Sequence, residues 1–259
     1  MVDLRLSDSE LADRRERIVA FIDEQVTAAG ADGAVIGLSG GVDSSLVAYL
    51  AVEALGTDSV TGLILPAAPS SDASVRDAEI VADRLNIATH TIDIEPVLDA
   101  LVSSYPGSPD DRALGNARAR IRAAYNYLLA NDENNVVLGT GNKSESLTGY
   151  YTKYGDGAVD CHPIGNLYKT QVWQLASDVG VPEQIVEKPP SAELWDNQTD
   201  EDELGLDYET LDSILALHID GPLSAAGTAR ELSVSQETVD HVHSLYLSSQ
   251  HKRLMPPKP

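Results

Sequence analysis

The stretch Ser39-Gly40-Gly41-Val42-Asp43-Ser44-Ser45 constrains this chain more than any other. It stands between a short apolar run, Ala34-Val35-Ile36-Gly37-Leu38, and a segment where Leu46, Val47, Leu50, Ala51, Ala54 and Leu55 recur with helical spacing. The pattern predicts a buried strand, a tight turn and a helix. Two glycines let the backbone approach a ligand closely, and the unpaired N–H groups of the first helical turn face that ligand with the positive end of the helix dipole. The natural guest is a phosphate or pyrophosphate. Neither a Gly-Lys-Ser/Thr phosphate loop nor a G-x-G-x-x-G dinucleotide fingerprint is present. Asp43 takes the place of the lysine, and an acid among phosphates repels them unless a cation lies between, so Asp43 is predicted to hold Mg²⁺. The plainer reading makes Ser39 or Asp43 a helix N-cap and the glycines a turn. Serines on both sides and the preceding strand favour the functional one.

Further along, Ser59 to Leu65, Ile87 to Ile92 and Asn135 to Leu138 read as strands. Between and after them, helices are expected over Asp72 to Leu85, Val97 to Val102, Leu114 to Leu129, Lys169 to Val179, Tyr208 to Ile219, Ser224 to Leu232 and Gln236 to Leu247. Strands alternating with helices predict an α/β chain, a doubly wound, mostly parallel sheet with helices on both faces. Ligands bind such sheets at the carboxyl ends of strands, so Gly37 to Ser45 and Gly139 to Glu145 should share one edge. No linker or internal repeat is visible, and residues 1–259 read as one domain.

The segment Gly149-Tyr150-Tyr151-Thr152-Lys153-Tyr154-Gly155-Asp156-Gly157 is too rich in Gly and Tyr for a regular element and is expected to be a functional loop. In the helix before it, Leu114, Ala117, Ile121, Tyr125 and Leu128 form one apolar stripe, with Arg118 and Arg120 on its borders and Arg122 toward solvent. Either border arginine could reach an anionic ligand; Arg122 is expected to be a surface charge. Lys153 and Lys169 flank the loop in a chain with only six lysines, which argues against idle surface roles. Asp156 could accept a proton from an ammonium ion. A turn-forming Asp between two glycines is the alternative. His162, followed by Pro163, reads as structural.

The chain carries 41 acidic against 18 basic residues, a net charge of −23. Nucleic acid is thereby an improbable partner on charge alone, and the excess exceeds what solubility requires. It suits a salt-rich cytoplasm, where a Debye length of about 3 Å at 1 M salt screens self-repulsion. No apolar run approaches a membrane span and Met1 to Arg17 lacks a signal-peptide core, so a soluble cytoplasmic protein is expected, with no membrane partner. A single cysteine, Cys161, leaves no intramolecular disulfide to form.

Taken together, Ser39-Gly40-Gly41-Val42-Asp43-Ser44, Gly139-Thr140, Glu145, Gly115-Asn116-Ala117-Arg118-Ala119-Arg120, Thr152-Lys153-Tyr154-Gly155-Asp156-Gly157 and His251-Lys252-Arg253 resemble the ammonia-dependent NAD synthetases, over essentially the whole chain from Ile18 onward. The first motif alone resembles the wider N-type ATP pyrophosphatases, with an adenine nucleotide alpha-hydrolase-like fold. The resemblance implies a homodimer that amidates deamido-NAD with free ammonia, using ATP and Mg²⁺ and releasing AMP and pyrophosphate. It implies ATP contacts at Gly37, Leu38, Ser39, Gly40, Gly41, Val42, Asp43, Ser44, Thr140, Lys169 and Ser191, and Mg²⁺ ligands at Asp43 and Glu145. Deamido-NAD contacts would be Arg120, Lys153, Asp160, His251 and Lys252, with Asp43, Lys169 and Asp156 nearest the chemistry. Ser191 stands where relatives often carry Thr, with the hydroxyl kept. Rival readings are a GMP synthetase core, a sulfur-inserting tRNA enzyme, which should be basic and carry paired cysteines, and a non-catalytic adenine-nucleotide sensor.

Overall fold

The structure, a computed structural model, describes residues 3–191 and 199–258. Helix α1 (Asp8–Ala29) leads into β1 (Gly33–Gly37), α2 (Val42–Leu55), β2 (Val60–Ile64), α3 (Asp72–Leu85) and β3 (Ala88–Thr91). Then come α4 (Glu95–Ser104), α5 (Asp111–Asp132), β4 (Asn135–Leu138), α6 (Lys143–Thr148), α7 (Lys169–Val179) and α8 (Glu183–Val186). The remaining helices are α9 (Asp200–Leu204), α10 (Tyr208–Ile214), α11 (Ala225–Leu232), α12 (Gln236–Ser248) and α13 (Gln250–Arg253). The four strands form one parallel sheet in the order β3-β2-β1-β4, with Ala34 opposite Val60 on one side and Val136 on the other. β1 therefore stands in the middle. Chain order reverses between it and β4, which places the β1 and β4 exits side by side at a topological switch point.

Side chains alternate across the sheet as the pleat requires. Ala34, Ile36, Val60, Ile64, Val136 and Leu138 pack with α1, α2, α3 and α7, whereas Val35, Leu63, Leu65 and Val137 pack under α4 and α5. Both faces are covered, which is why the central strands read as continuous apolar runs. A third cluster joins α9 through α12 around Tyr208, Leu211, Ile214 and Val242 and leans on α7 through Trp173, which meets Tyr208 edge to face at 5.8 Å.

Several expectations need revision. The charged N-terminal segment contributes α1, whose Leu11, Ile18, Ile22 and Val26 are buried on one stripe, and Ser7 and Glu10 form a capping box at its start. The segment expected as one helix from Tyr208 to Ile219 widens into a π-helical turn at Leu215–Ile219. In α5 the apolar stripe ends early: Leu128 is 65% exposed, while Gly115, Ala119, Ile121 and Ala123 are buried. Small residues, not the large apolar ones, mark the second buried face of that helix. They leave room for a cavity.

Candidate active site

The carboxyl ends of β1 and β4 open into a cavity of about 770 Å³. On one side, β1 hands over to Ser39-Gly40-Gly41, and α2 begins at Val42 with Gly41 as its N-cap. Gly40 has φ +76, and a Cβ there would stand 2.0 Å from the Ser74 carbonyl oxygen of α3, so both backbone conformation and space require glycine. The Ser44 hydroxyl turns back onto the loop, 3.0 Å from Ser39 Oγ and 3.1 Å from the Gly41 carbonyl. The loop's shape is thus fixed by its own serines. On the other side, α6, which sequence periodicity did not reveal, is started by a capping box in which Glu145 N donates to Asn142 Oδ1 at 3.0 Å and Asn142 N donates to Glu145 Oε2 at 3.2 Å.

Between these elements sit the charged groups. Lys169 Nζ lies 2.5 Å from Asp43 Oδ2 and 3.7 Å from Glu145 Oε1, and Asn142 Nδ2 donates to Asp43 Oδ1 at 2.9 Å. Lys169 is only 3% exposed. Its placement is fixed from behind: Lys169 N donates to Ser144 Oγ at 2.9 Å, the Ser144 hydroxyl donates to Asp212, and Thr170 N donates to the other Asp212 oxygen at 2.9 Å. One buried carboxylate from α10 thus ties the start of α6 to the start of α7. Burial works against the Lys169 ammonium, but the charges of Asp43 and Glu145 outweigh it and hold its pKa above the usual range. Burial, and next the charge of Asp43, push the Glu145 carboxyl upward, with Lys169 opposing. Two carboxylates share one lysine.

That surplus of hard oxygen ligands is the setting a divalent cation fits. Among the described residues no cluster of three or more His, Cys, Asp or Glu is arranged to hold a metal. A Mg²⁺ at Asp43 and Glu145 would take its remaining ligands from phosphates and water, the usual manner for that ion.

Of the residues expected at an ATP site, Gly37, Leu38, Ser39, Gly41, Val42, Asp43, Ser44, Thr140, Lys169 and Ser191 line this cavity, and Gly40 forms the bend behind them. The second set is dispersed. His251 and Lys252 line the same cavity, and Lys252 Nζ is held by the carbonyls of Gly149 and Tyr151 at 2.6 and 2.7 Å. Lys153 donates to the His251 carbonyl at 2.5 Å and the exposed Arg120 donates to the Lys153 carbonyl at 3.2 Å, so both sit outside the cavity wall. Asp160 lies apart, in a separate hollow of about 460 Å³ with Tyr127, whose hydroxyl donates to it at 3.1 Å. Asp156 does border the cavity, but its carboxylate accepts the Thr152 N–H at 2.9 Å, the turn-forming contact that was its alternative reading, and burial raises its pKa.

Arg122 corrects the sequence reading. It is not a solvent-facing charge: Nε donates to the Leu65 carbonyl at 3.0 Å and Nη2 to Ser70 Oγ at 3.4 Å, inside the cavity. With Ala119, Ala123 and Asn126 it forms a helical face at i, i+3, i+4 and i+7 spacing, a pattern hidden because small and polar residues carry it. Arg118 pairs with Glu95 at 2.9 Å. The His162 ring packs where a Cβ at Gly139 would stand, and burial lowers its pKa. Cys161 is buried, and burial first and Asp160 second push its thiol up to about 11. Sequence reasoning missed Lys188, Asp200 and Tyr208 near the cavity. Lys188 could have been found as one of six lysines just before Ser191; Asp200 was hidden in an acidic run that resembles surface.

The NAD synthase family matches residues 15–256 of the chain. The NH(3)-dependent NAD(+) synthetase of Halobacterium salinarum is 54% identical over 259 residues, covering 100% of this chain and 97% of the relative. Among solved structures, NMN synthetase from Francisella tularensis matches with a TM-score of 0.86 and 36% identity over 98% of this chain and 99% of that one. The NH3-dependent NAD synthetase from Campylobacter jejuni, in complex with the nitrate ion, matches with a TM-score of 0.80 and 30% identity over 96% and 98%.

Proposed function

Because this chain belongs to the NAD synthase family, we propose that it is a carbon–nitrogen ligase that makes NAD from deamido-NAD and ammonia at the expense of ATP. The observation that carries this reading is the juxtaposition, in one cavity, of the Ser39–Ser44 cradle with Asp43, Glu145 and Lys169. A carboxylate is a poor acceptor for an amine and must first be activated. In the first step a nicotinate oxygen attacks the α-phosphorus of ATP, the bond to the β-phosphate bridging oxygen breaks, and pyrophosphate departs. In the second, ammonia attacks the carbonyl carbon of the adenylate, AMP leaves with the electron pair of the C–O bond, and the amide nitrogen sheds a proton.

The loop N–H groups orient the phosphates, and Lys169 offers a cation where negative charge accumulates, an effect that a preorganised water-poor site makes large. Mg²⁺ held by Asp43 and Glu145 would supply charge neutralisation on the phosphates. Asp156, raised by burial, is the proposed acceptor of the ammonium proton. Arg120, Lys153, Asp160, His251 and Lys252 are proposed to bind deamido-NAD. Asp160 lies in a hollow away from the cavity, and α4, the residue after it and α5 expose Val97, Leu101, Tyr105 and Leu128. Both features support a homodimer. If so, Leu128→Glu should convert dimer to monomer in sedimentation velocity; a wild-type monomer would end that proposal. The cavity draws on residues from Gly37 to Lys252, which supports treating the chain as one domain. None of the described helices is long and apolar enough to cross a membrane, and a cytoplasmic setting is proposed.

The reading is tested by product analysis. Purified protein given ATP, Mg²⁺ and ammonia should release AMP and pyrophosphate only with deamido-NAD present. ADP as product would refute it.

Nitrogen is expected from free ammonia. Glutamine hydrolysis needs an activated nucleophile such as a thiolate, and the buried Cys161 thiol, pushed up to about 11, is a poor one. Cys161→Ser should keep ammonia-driven NAD synthesis within about threefold. Robust glutamine-driven turnover lost in that variant would overturn the expectation.

A further inference from the structure

We propose that Lys188 is a leaving-group residue, a second cation besides Lys169 that takes up the charge of the departing pyrophosphate. The inference rests on the ATP-cleaving reading above and adds a residue to it. The cations lining the cavity are Arg112, Arg122, Lys169, Lys188 and Lys252, besides His251. Lys169 is committed to Asp43 and Glu145, Arg122 to the Leu65 carbonyl and Ser70, and Lys252 to the carbonyls of Gly149 and Tyr151. Lys188 differs in position. Its Nζ donates to Ser74 Oγ at 2.7 Å and to Asp77 Oδ2 at 3.1 Å, and the Ser74 carbonyl is the atom that a Cβ at Gly40 would strike at 2.0 Å. The ammonium therefore sits one residue behind the sharpest bend of the anion cradle, with one of its three donors unpartnered among the described residues.

When the nicotinate oxygen bonds to the α-phosphorus, the electron pair of the broken P–O bond stays on the β-phosphate oxygen, and pyrophosphate gains a negative charge. No proton need move. A lysine beside the cradle stabilises that charge more in the transition state than in bound ATP, and so favours cleavage. Asp77 holds the lysine in place: it is itself gripped by Gln184 Nε2 at 2.9 Å, so α3 and α8 aim the side chain together.

The test compares Lys188→Gln, Lys188→Arg and Asp77→Asn in the full chain. Readouts are the inhibition constant of inorganic pyrophosphate against ATP, with Mg²⁺ present, and the thermal midpoint. A charge-assisted contact predicts that Lys188→Gln weakens pyrophosphate inhibition about tenfold or more and lowers kcat, while Lys188→Arg recovers most of both. Asp77→Asn keeps the cation but loosens its aim, so it should weaken pyrophosphate inhibition less than Lys188→Gln does, by about threefold, while lowering the midpoint, because it breaks the same ion pair. If Lys188→Gln and Asp77→Asn lower the midpoint alike and neither changes pyrophosphate inhibition, Lys188 is a structural ion-pair partner and the proposal is wrong. A wild-type protein that forms no AMP fails the ATP-cleaving reading itself, a separate result.

Discussion

Asp43→Asn should reduce NAD formation about 10²–10³-fold, the size of effect seen when a charge-stabilising group is removed from a water-poor reaction site. Asp43 touches both the cradle, as the second residue of α2, and the Lys169 ammonium at 2.5 Å, so the substitution removes a proposed metal ligand and the nearest partner of a buried cation. The fold should survive. With the Asp43 charge gone, the influence that raises the Glu145 carboxyl after burial disappears, and Glu145, 3.7 Å from Lys169, becomes the lysine's counter-ion. A loss of about 1–2 kcal/mol, or a few degrees in Tm for a chain of this size, is expected. Glu145→Gln should behave in the same way. Either variant turning over at near wild-type rate at low Mg²⁺ would remove both residues from the metal-holding role.

Potassium chloride should raise the thermal midpoint by roughly 10 °C between millimolar and molar concentrations, equivalent to about 3–5 kcal/mol at the conversion appropriate to this length. The sign follows from the charge balance of −23. At low ionic strength the acids repel one another across a Debye length of about 30 Å at 0.01 M, a distance comparable to the molecule; at 1 M about 3 Å remains and only adjacent charges interact. Few opposing surface pairs exist to be weakened in return: among the described residues, Arg15–Glu53 is more than a third and Arg17–Asp13 more than half open to solvent, and such pairs contribute little. The 54% identity to the Halobacterium salinarum protein agrees with a salt-adapted chain. A flat or falling midpoint in a KCl titration contradicts this.

What the sequence made readable was local. The β1–cradle–α2 unit follows from steric rules on glycine and from helical spacing, and β4 and α7 lie where periodicity put them because strong apolar patterns met clear turn residues. Burial shared between distant segments was less readable. Arg122 turned inward because Ala119 and Ala123 leave space beside it, and Asp160 faced Tyr127, not the cavity, although Cys161 next to it bridges to Leu138 of β4. Helix α6 is six residues long, too short for a period to register, and only its Asn142–Glu145 capping pair announced it. Lys188 and Asp212 work through partners more than a hundred and about forty residues away in the chain, contacts with no local signature.

The last short helix carries a consequence for how the protein is made. Arg253 donates to the carbonyls of Ser146 and Leu147, and Lys252 to that of Gly149, so α13 satisfies the open carboxyl end of α6, the helix that bears Glu145. About a hundred residues separate these partners, and a ribosome adding roughly 5–20 residues per second would emit the Glu145 turn some 5–20 s before its cap exists. During that interval the cradle can already be folded while the opposite wall is not. An unfinished chain would therefore present the Ser39–Ser44 loop without the wall it faces, and a complete cavity would arrive abruptly with residues 252 and 253.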